Sequence, residues 1–515
     1  MKLNITAALI FFASFTSIVH AQELKQPKPN WYNLDLKNDG MFGISMDIAY
    51  NVLLRGKKAR SVIVAVIDDG LDVSHEDLKN VVWKNPKEIP GNGKDDDKNG
   101  YTDDINGWNF LGSAKESFEF DNDLIVIALR NYKLKFGDKD STMISRKDLP
   151  AYRDYIKKQK QLDLKVKETK QQVNSYQKFL EDINSISNNI GKANPDKEDF
   201  VHFKPADSAQ AKAKRVILNI LQKENNFKAF LERTKEQLAE KKNDLQYHLN
   251  INYDPRSKYA SEFSSARGRF YGNGNLFGNV TPAHGTHVAG VVGAERNNKI
   301  GINGVADCVQ IMGIRAIPDG YGLDKDEANA IRYAVDNGAN VINMSFGLST
   351  ATDRKAVLSA IKYALSKDVL FVQAAGNSHE NLDTAGLYPD RANKADQKFI
   401  KSFIKVGASG FSDDDQLVVE FSNFGKKSVD VFAPGLMINS TVPPNGYEPH
   451  SGTSMAAPVV AGMAAVIRAY YPKLKAWQVK EIIIKSVIKR TSLQDLCVTG
   501  GIVNAFDALK LAANY

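Results

Sequence analysis

Uninterrupted apolar runs alternate with amphipathic segments along much of this chain, which has 515 residues. The run at residues 62–67 has the length and the β-branched content of a strand that is covered on both faces. After residue 300, similar runs alternate with segments of helical period at 324–337 and 354–366. Strands that alternate with helices predict an α/β fold with a mostly parallel sheet and right-handed crossovers. The later predicted strands are 309–314, 341–344, 369–374, 403–408 and 429–432.

The pattern changes between residues 116 and 272, where Lys, Gln, Asn and Glu dominate and glycines become scarce. Two stretches there have a four-three spacing, and the break between them contains Pro195 and Pro205. Such spacing gives each helix one narrow apolar seam, which predicts an antiparallel coiled-coil hairpin of two helices, each of about 30 residues and about 45 Å. The seam residues are Leu162, Val166, Thr169, Val173, Tyr176, Leu180 and Ile183, then Phe227, Leu231, Thr234, Leu238 and Leu245.

The charge of the chain is nearly balanced, since 68 Lys and Arg against 60 Asp and Glu give a net charge of +8. Nucleic-acid binding normally needs a concentrated basic surface, so this composition predicts no nucleic-acid partner. The basic residues of the helical segment fit the solvated face of a coiled coil better. Cys308 and Cys497 allow one disulfide in an oxidising compartment, and the sequence does not decide whether they pair.

The N-terminus has the layout of an export signal. A short basic start precedes an apolar stretch at residues 7–13, and Val19-His20-Ala21 offers small or branched residues where a signal peptidase cleaves. We therefore expect residues 1–21 to be a cleaved signal peptide, and the protein to be periplasmic or extracellular. No later segment is long and apolar enough to predict a membrane span.

An acidic loop follows the first predicted strand. Oxygen-bearing side chains alternate in this loop, and Gly100 allows a sharp turn, which is the front half of a calcium-loop pattern. Asn106 stands where a glutamate would close an EF-hand. Two interpretations stay open on spacing alone, a structural calcium site and a solvated acidic turn. The candidate ligands are Asp95, Asp97, Asn99, Asp103 and Asp104.

Three separated stretches carry the residues of an acid, a base and a nucleophile. Asp68 ends the first predicted strand, at the carboxyl edge where the ligands of α/β sheets collect. His284 begins a helix of small residues, and Ser454 stands in a Gly-containing turn before a helix that is apolar on every face. A serine at a helix N-terminus is usually only a cap, so Ser454 gains its meaning from the other two residues. The chain order Asp, His, Ser is one of those in which a catalytic triad occurs.

At these residues the chain resembles the subtilisin-like serine proteases, the subtilase family. The resemblance covers about residues 50–112 and 273–510 and is carried by several separated motifs. It implies a three-layer α/β/α fold and a serine endopeptidase activity. The motifs are Val66-Ile67-Asp68-Asp69-Gly70, His284-Gly285-Thr286-His287, Asn343-Met344-Ser345-Phe346-Gly347, Ala374-Ala375-Gly376-Asn377 and Gly452-Thr453-Ser454-Met455-Ala456.

The resemblance implies a role for each polar residue of these motifs. Ser454 would attack the peptide carbonyl, His284 would take its proton and later protonate the leaving amine, and Asp68 would hold the imidazole in the right tautomer. Asn377 would donate to the oxyanion beside the backbone N–H of Ser454. His287 is expected to be a structural neighbour of His284.

Two of the motifs match the segments that wall the primary specificity pocket of the family and pair with extended substrate. Their small residues predict room for an apolar side chain. The motifs place no acidic residue at the floor of the pocket. Glu380 is near enough in sequence that an acidic pocket floor stays open as an alternative. The predicted substrate-binding residues are Ser345, Phe346, Gly347, Ala374, Ala375 and Gly376.

Three features depart from the family pattern. Asp69 replaces the Ser or Thr that usually follows the catalytic aspartate, so two carboxylates adjoin and either is a candidate for the triad. The stretch between the predicted signal and Asp68 is shorter than the usual folding pro-domain, which predicts a different route of maturation. The helical segment separates the aspartate and histidine motifs, where the family normally has short loops.

We therefore predict an exported serine endopeptidase that acts on polypeptides and binds calcium as a structural cofactor. The predicted organisation is a signal at 1–21, a catalytic domain at 22–115 and 273–515, and a helical insertion at 116–272 that offers a surface to a protein partner. Two alternatives stay open. One is a pseudoenzyme that binds peptide or a partner through the groove and the helical arm, and the other is an esterase or peptide-processing enzyme with narrow substrate choice.

Overall fold

The structure is a computed structural model that describes residues 27–192, 194–224, 226–259, 268–347, 353–388 and 401–515. The described chain forms two compact units. The larger unit contains Pro27–Tyr155 and Tyr247–Tyr515, and the smaller unit contains Ile156–Gln246. The predicted signal peptide at 1–21 lies outside the described residues and stays a prediction, as do the predicted domain boundaries.

The larger unit is built on a mostly parallel sheet. The described strands are β1 (Val62–Asp68), β2 (Gly107–Asn109), β3 (Val309–Arg315), β4 (Val341–Met344), β5 (Leu370–Ala374), β6 (Phe403–Ser409), β7 (Val431–Pro434), β8 (Ile438–Val442), β9 (Gly446–His450), β10 (Ile488–Lys489) and β11 (Gly501–Ile502). Nine of these described strands form one sheet in the order β10-β11-β7-β6-β5-β4-β1-β3-β2. β10 and β11 pair antiparallel, whereas the other neighbours run parallel. β8 and β9 form a separate antiparallel ribbon.

Helices cover both faces of this sheet. Val64 of β1 belongs to one buried cluster with residues of Ala283–Gly293, here called the base helix, and of Thr453–Tyr470, the central helix. Its neighbour Ala65 belongs to a second cluster, with the helices Asp324–Asp336 and Arg354–Ser366. Successive side chains of a strand point to opposite faces, so the apolar run of β1 supplies both layers. The predicted three-layer α/β/α fold with a mostly parallel sheet is confirmed.

The central helix fills the middle of the core. Among the described helices it has the length and composition of a membrane span, but 89% of it is buried inside the protein. A Cβ atom at Gly462 would come within 2.7 Å of Val305 Cβ and 2.9 Å of the Val292 carbonyl oxygen. Glycine therefore allows the central helix to approach the base helix closely.

The remaining helices of the larger unit frame this core. The described helices of this unit include Leu36–Asp39, Met46–Ile48, Leu124–Phe136, Leu382–Ala385, Ala476–Lys485 and Ala505–Ala512. Both cysteines lie in this unit and are unpaired, so the disulfide that the sequence left open is not formed between Cys308 and Cys497.

The smaller unit is helical and differs from the predicted pair of helices. Leu149–Ile190 begins in the larger unit and continues into this one, where Lys197–His202, Ser208–Glu224 and Phe227–Asn243 follow. The two predicted seams fall mainly in the first and the last of these four helices. Apolar residues of all four meet in one buried cluster because the shorter helices supply further apolar positions. The cluster contains Ile183, Ile186, Phe200, Ala213, Ile217, Leu221, Phe227 and Phe230.

Candidate active site

The carboxyl edge of the sheet brings three predicted site segments together. β1, β4 and β5 are parallel neighbours, and their registers place the strand ends Asp68, Met344 and Ala374 at one edge. Ser345 follows Met344 directly, and Ala375 follows Ala374. Groups that are far apart in the chain are thereby presented on one surface, as is usual for functional sites of parallel sheets.

Asp68 and His284 are joined by a hydrogen bond. The Asp68 Oδ1 atom lies 2.7 Å from His284 Nδ1. The Asp68 carboxylate is buried, whereas 40% of the His284 side chain is exposed. Burial lowers the pKa of His284, but the charge and hydrogen bond of Asp68 and the charge of Asp69 outweigh it, and the pKa rises to about 9. The bond occupies Nδ1 and leaves Nε2 for proton transfer.

Asp69 faces the backbone of the base helix instead of the imidazole ring. Its carboxylate accepts the backbone N–H of Gly285 at 2.7 Å and that of His284 at 3.3 Å. Burial and the adjoining Asp68 carboxylate raise the pKa of Asp69 to about 7. The two adjacent carboxylates therefore have different partners, the ring for Asp68 and the helix N-terminus for Asp69.

Gly285 makes this arrangement sterically feasible. A Cβ atom at this position would lie 2.1 Å from the Gly70 carbonyl oxygen, 2.8 Å from Asp69 Oδ1 and 3.1 Å from Asp68 Cβ. The backbone of the base helix therefore rests directly on the turn that follows β1. A side chain at Gly285 would push His284 away from both carboxylates.

Ser454 lies in the first turn of the central helix, and its hydroxyl is bound to the end of β4. The Oγ of Ser454 donates to the Ser345 carbonyl oxygen at 2.9 Å. In return the Oγ of Ser345 donates to the Ser454 carbonyl oxygen at 2.8 Å, and Asn343 Nδ2 donates to the Ser345 hydroxyl at 3.0 Å. The two segments, 109 residues apart in sequence, are held together by this pair of hydrogen bonds.

Asn377 has one end of its amide fixed. Its Oδ1 accepts both the backbone N–H and the hydroxyl of Thr453 at 2.9 Å. The Thr453 hydroxyl in turn accepts the Gly376 N–H at 2.9 Å. A Cβ atom built on Gly452 would lie 3.2 Å from Asn377 Nδ2, so the amide nitrogen lies beside the turn that carries Ser454. This arrangement leaves Nδ2 as the donor end.

His287 links the base helix to the ribbon of β8 and β9. Its Nε2 lies 3.0 Å from the carbonyl oxygens of Ile438 and Glu448. Its ring stacks on His450, with centroids 4.2 Å apart and planes 3° from parallel. Burial and the nearby His450 lower the pKa of His287 to about 3, so the ring is neutral. These contacts favour a structural role for His287.

Leu387 contacts the first predicted wall segment of the specificity pocket. A Cβ atom at Gly347 would lie 2.8 Å from Leu387 Cδ2 and 3.0 Å from its Cγ, and Leu387 shares a buried cluster with Ala375 of the second wall. Sequence reasoning missed Leu387 because it lies outside the motifs. Glu380, the residue that the sequence left as a candidate for an acidic pocket floor, is exposed. Among the predicted wall residues, Ser345, Ala374 and Ala375 are buried, Phe346 and Gly376 are half-buried, and Gly347 is exposed.

The acidic loop brings two of the five predicted calcium ligands together with a third acid. One carboxylate oxygen from each of Glu88, Asp95 and Asp97 lies within 4.8 Å of the others. The Glu88 carboxylate accepts backbone N–H groups of Asp96, Asp97 and Asp103, which hold it against the loop. Sequence reasoning missed Glu88 because it stands before the alternating spacing.

The other predicted ligands have different surroundings. Asp104 is fully buried and accepts hydrogen bonds from Asn85, Asn99 and Tyr333. The Oδ2 of Asp103 accepts a backbone N–H, while its Oδ1 is buried and has no hydrogen-bond partner in the part of the chain that the structure describes. The three clustered carboxylates of Glu88, Asp95 and Asp97 are oxygen donors of the kind that a hard cation such as Ca²⁺ prefers, whereas Asp103 and Asp104 are not part of this cluster.

The chain is similar to known serine proteases. A family model described as the subtilase family matches residues 59–505. The chain is 42% identical over 185 residues to the thermophilic serine proteinase of Bacillus sp. (strain AK1). The matched region covers 36% of this chain and 42% of that protein. It is 37% identical over 216 residues to subtilisin DY of Bacillus licheniformis, covering 41% of this chain and 73% of that protein. It is 38% identical over 185 residues to thermitase of Thermoactinomyces vulgaris, covering 36% and 60% of the two chains.

Proposed function

The chain belongs to the subtilase family, and from that premise we propose that it is a serine endopeptidase with the triad Asp68, His284 and Ser454. The observation that carries this proposal is the 2.7 Å contact between Asp68 Oδ1 and His284 Nδ1. It gives the imidazole the partner that a general base of this kind needs. The proposed substrates are polypeptides, and nothing in the charge of the chain favours nucleic acid.

Acylation would begin with a rotation of the Ser454 hydroxyl. Turning about the Cα–Cβ bond releases the hydrogen bond to the Ser345 carbonyl and offers the proton to His284 Nε2. As Nε2 takes this proton, Oγ forms a bond to the substrate carbonyl carbon and the carbonyl oxygen becomes an oxyanion. Asp68 holds the opposite side of the ring and stabilises the imidazolium that forms.

Asn377 and the backbone N–H of Ser454 would donate to the oxyanion. The two hydrogen bonds from Thr453 to Asn377 Oδ1 support this role, because they restrict the amide before the reaction begins. Collapse of the intermediate breaks the C–N bond, and the imidazolium gives its proton to the leaving amine. Water then attacks the acyl-enzyme by the same route and releases Ser454.

The proposed primary pocket takes an apolar side chain of moderate size. The predicted walls are 345–347 and 374–376, and their small residues leave space between them. Leu387 adds an apolar side chain beside Gly347, and in this proposal it limits the space for the substrate side chain. This favours smaller apolar side chains over large aromatic ones.

The acidic loop is proposed to bind a structural calcium ion. Glu88, Asp95 and Asp97 would hold it. Bound there, the ion supplies positive charge that offsets the repulsion among these carboxylates. The triad uses no metal chemistry in this scheme.

Export to the periplasm or the extracellular space is proposed from the basic start, apolar stretch and cleavage pattern of residues 1–21. A protein partner that binds the helical insertion is also proposed. The support is that residues 156–246 form a compact helical unit of their own, which offers a surface separate from the catalytic motifs in sequence.

A fluorophosphonate probe tests the proposed activity, since it labels only an activated serine. The wild-type protein should be labelled, and Ser454→Ala should abolish labelling and reduce peptide hydrolysis by about 10⁶, as found for the corresponding change in subtilisin. Ser451→Ala, an exposed serine three positions earlier, is the matched control and should still react. A folded wild-type protein that resists the probe would favour the pseudoenzyme. Casein compared with short esters then separates an endopeptidase from an esterase.

A further inference from the structure

The carboxylate next to the proposed triad aspartate has its own place in the site. We propose that Asp69 is a positioning residue, whose carboxylate fixes the first turn of the base helix and whose negative charge helps to set the pH at which His284 acts as a base. This inference rests on the proposed function of His284. It goes beyond that function because the hydrogen bonds of the Asp69 carboxylate go to the backbone N–H groups of the base helix, whereas the ring is bonded by Asp68.

The backbone of the base helix shows why such a residue is needed. The first N–H groups of any helix have no partner inside the helix. Pro282 precedes the base helix and offers no side-chain cap. Asp69 accepts two of these N–H groups, those of His284 and Gly285, from a strand end 215 residues earlier. A carboxylate at a helix N-terminus is favourable in charge as well as in hydrogen bonding.

Steric contact ties the carboxylate to the position of the base. The space around Gly285 is filled by Asp69 Oδ1 and the Gly70 carbonyl, so the helix cannot slide without displacing them. His284 is the neighbouring residue and carries the ring that bonds Asp68. A shift of Asp69 would therefore turn the imidazole relative to Asp68. A displacement of about 1 Å in such a group costs up to about a hundredfold in rate.

The charges around Asp69 determine how it acts on His284. Asp68 adjoins it on β1, and Arg315 stands opposite Asp68 on the neighbouring strand β3. Arg315 is paired with the carboxylate of Glu119, which offsets much of its charge. The His284 ring, when it is protonated, is a cation that interacts with both aspartates, and Arg315 is a second cation that interacts with Asp69. Two negative charges therefore favour the imidazolium form.

The sign of the pH effect follows from these charges. The pKa of Asp69 is raised to about 7 by burial and by Asp68, so its carboxylate is charged at higher pH. The pKa of His284 is about 9, and the base is neutral above that value. Removing the charge of Asp69 destabilises the imidazolium and lowers the pKa of His284. Hydrolysis should then begin to rise at a lower pH.

The test is the pH profile of kcat/KM on a small peptide substrate. Asp69→Asn keeps the shape and one acceptor, and should shift the rising limb to lower pH by about one unit with the plateau largely kept. Asp69→Ala removes both acceptors and should add a loss of about ten- to a hundredfold on the plateau. Asp123→Asn is the matched control, because Asp123 caps the helix Leu124–Phe136 through the N–H of Ile125. It should leave the profile unchanged.

A second measurement does not depend on turnover. In the Ser454→Ala protein, NMR titration of ¹⁵N-labelled histidine reports the pKa of His284, and adding Asp69→Asn should lower it by the same amount. If the wild-type protein is inactive, the proposed function is wrong. The titration still decides the role of Asp69 in that case, because it does not depend on turnover. An unchanged His284 pKa, or an active Asp69→Asn enzyme with an unshifted limb, would overturn the inference.

Discussion

Ser345 and Ser454 donate their hydroxyl hydrogens to each other's backbone carbonyl oxygens, at 2.8 Å and 2.9 Å. The hydroxyl of the proposed nucleophile is therefore bound to the carbonyl oxygen that follows β4 in this structure. Because the Ser345 segment is also the predicted wall of the substrate pocket, an incoming substrate backbone would compete for the same carbonyl. Substrate binding and release of the nucleophile are thereby coupled in the proposed mechanism.

Asn377→Ala should lower kcat by about 10²–10³, the loss measured for one such oxyanion donor in subtilisin, with little change in KM. The reason is that the amide donates to charge that develops only in the transition state. Steady-state kinetics on a small peptide will measure both constants. Asn381→Ala is a matched control, since Asn381 caps the short helix Leu382–Ala385 instead. A loss confined to KM would remove Asn377 from the oxyanion site.

The sequence predicts the centre of the fold better than its edges. The strand at 62–67 agrees with β1 because its apolar run serves two core layers and leaves little freedom of register. The strand predicted at 429–432 is shifted to Val431–Pro434, where pairing with β6 begins, and pairing partners are invisible in a local pattern. The helix Ser208–Glu224 escaped prediction because its apolar positions belong to a cluster shared by several helices.

The candidate site also contains residues that the sequence predicts and residues that only the structure identifies. The motifs name Asp68, His284 and Ser454, since each stands where a strand or helix begins or ends. The sequence assigned the triad role to Asp68 and left some doubt because Asp69 adjoins it. Adjacent residues share most local signals, and only the three-dimensional structure gives Asp68 the imidazole ring and Asp69 the helix backbone as partner. Leu387 lies outside the motifs and reaches Gly347 of the first predicted wall only through the fold. Glu88 stands before the alternating spacing of the acidic loop, and the folding of that loop brings it to Asp95 and Asp97.

Glu327 should make stability depend on pH. It is buried in the helix Asp324–Asp336, and burial, with the charge of Asp324, raises its pKa from 4.5 to about 8. The folded state thus holds the proton more tightly than the unfolded chain, so the free energy of unfolding falls as pH rises from about 4.5 through about 8. Glu327→Gln should match the parent at pH 4 and be more stable by roughly 2–4 kcal/mol at pH 9.

Urea unfolding of the Ser454→Ala protein, which avoids autolysis, will measure this difference. Glu420→Gln is the matched control, because Glu420 is an exposed glutamate and its substitution should change stability equally at both pH values. An advantage of Glu327→Gln that is the same at pH 4 and pH 9 would contradict the assignment.

Calcium should raise the melting temperature. Binding to the folded state alone adds about 2.7 kcal/mol at a hundredfold excess over the dissociation constant. EGTA should lower the melting temperature and added calcium should restore it. Glu88→Gln and Asp95→Asn should each reduce the response, whereas Asp415→Asn, an exposed loop acid, should not. If the melting temperature is the same in EGTA and in millimolar calcium, the loop is a solvated acidic turn and not a calcium site.

Leu387→Ala should widen the primary pocket. The substitution removes the carbons that contact Gly347, so a larger apolar side chain can enter. Two peptide substrates are compared, one with phenylalanine and one with alanine directly before the cleaved bond. The ratio of kcat/KM for the phenylalanine substrate to that for the alanine substrate should rise at least about tenfold. Leu382→Ala is the control, because Leu382 is buried in the same cluster and its loss should lower stability without changing the ratio. An unchanged ratio for Leu387→Ala would place the pocket elsewhere.

The smaller helical unit should be separable from the catalytic unit. Its apolar side chains meet in a cluster formed by its own helices, so little of its stability needs the sheet. The residues at its ends belong to the larger unit: Tyr155 packs near Tyr132, and Tyr247 stacks on Phe120 with ring centroids 4.1 Å apart. A replacement should therefore spare both tyrosines and remove residues 156–246.

Replacing residues 156–246 with a short Gly/Ser linker should preserve folding and leave kcat/KM for a small peptide largely unchanged. We expect a change in the cleavage of large or folded proteins, because the insertion interrupts the chain between the proposed catalytic residues Asp68 and His284. A wider replacement of residues 140–255 is the comparison, and it should lower the melting temperature because it removes Tyr155 and Tyr247. Loss of small-peptide cleavage in the narrower variant would make the helical unit part of the catalytic core.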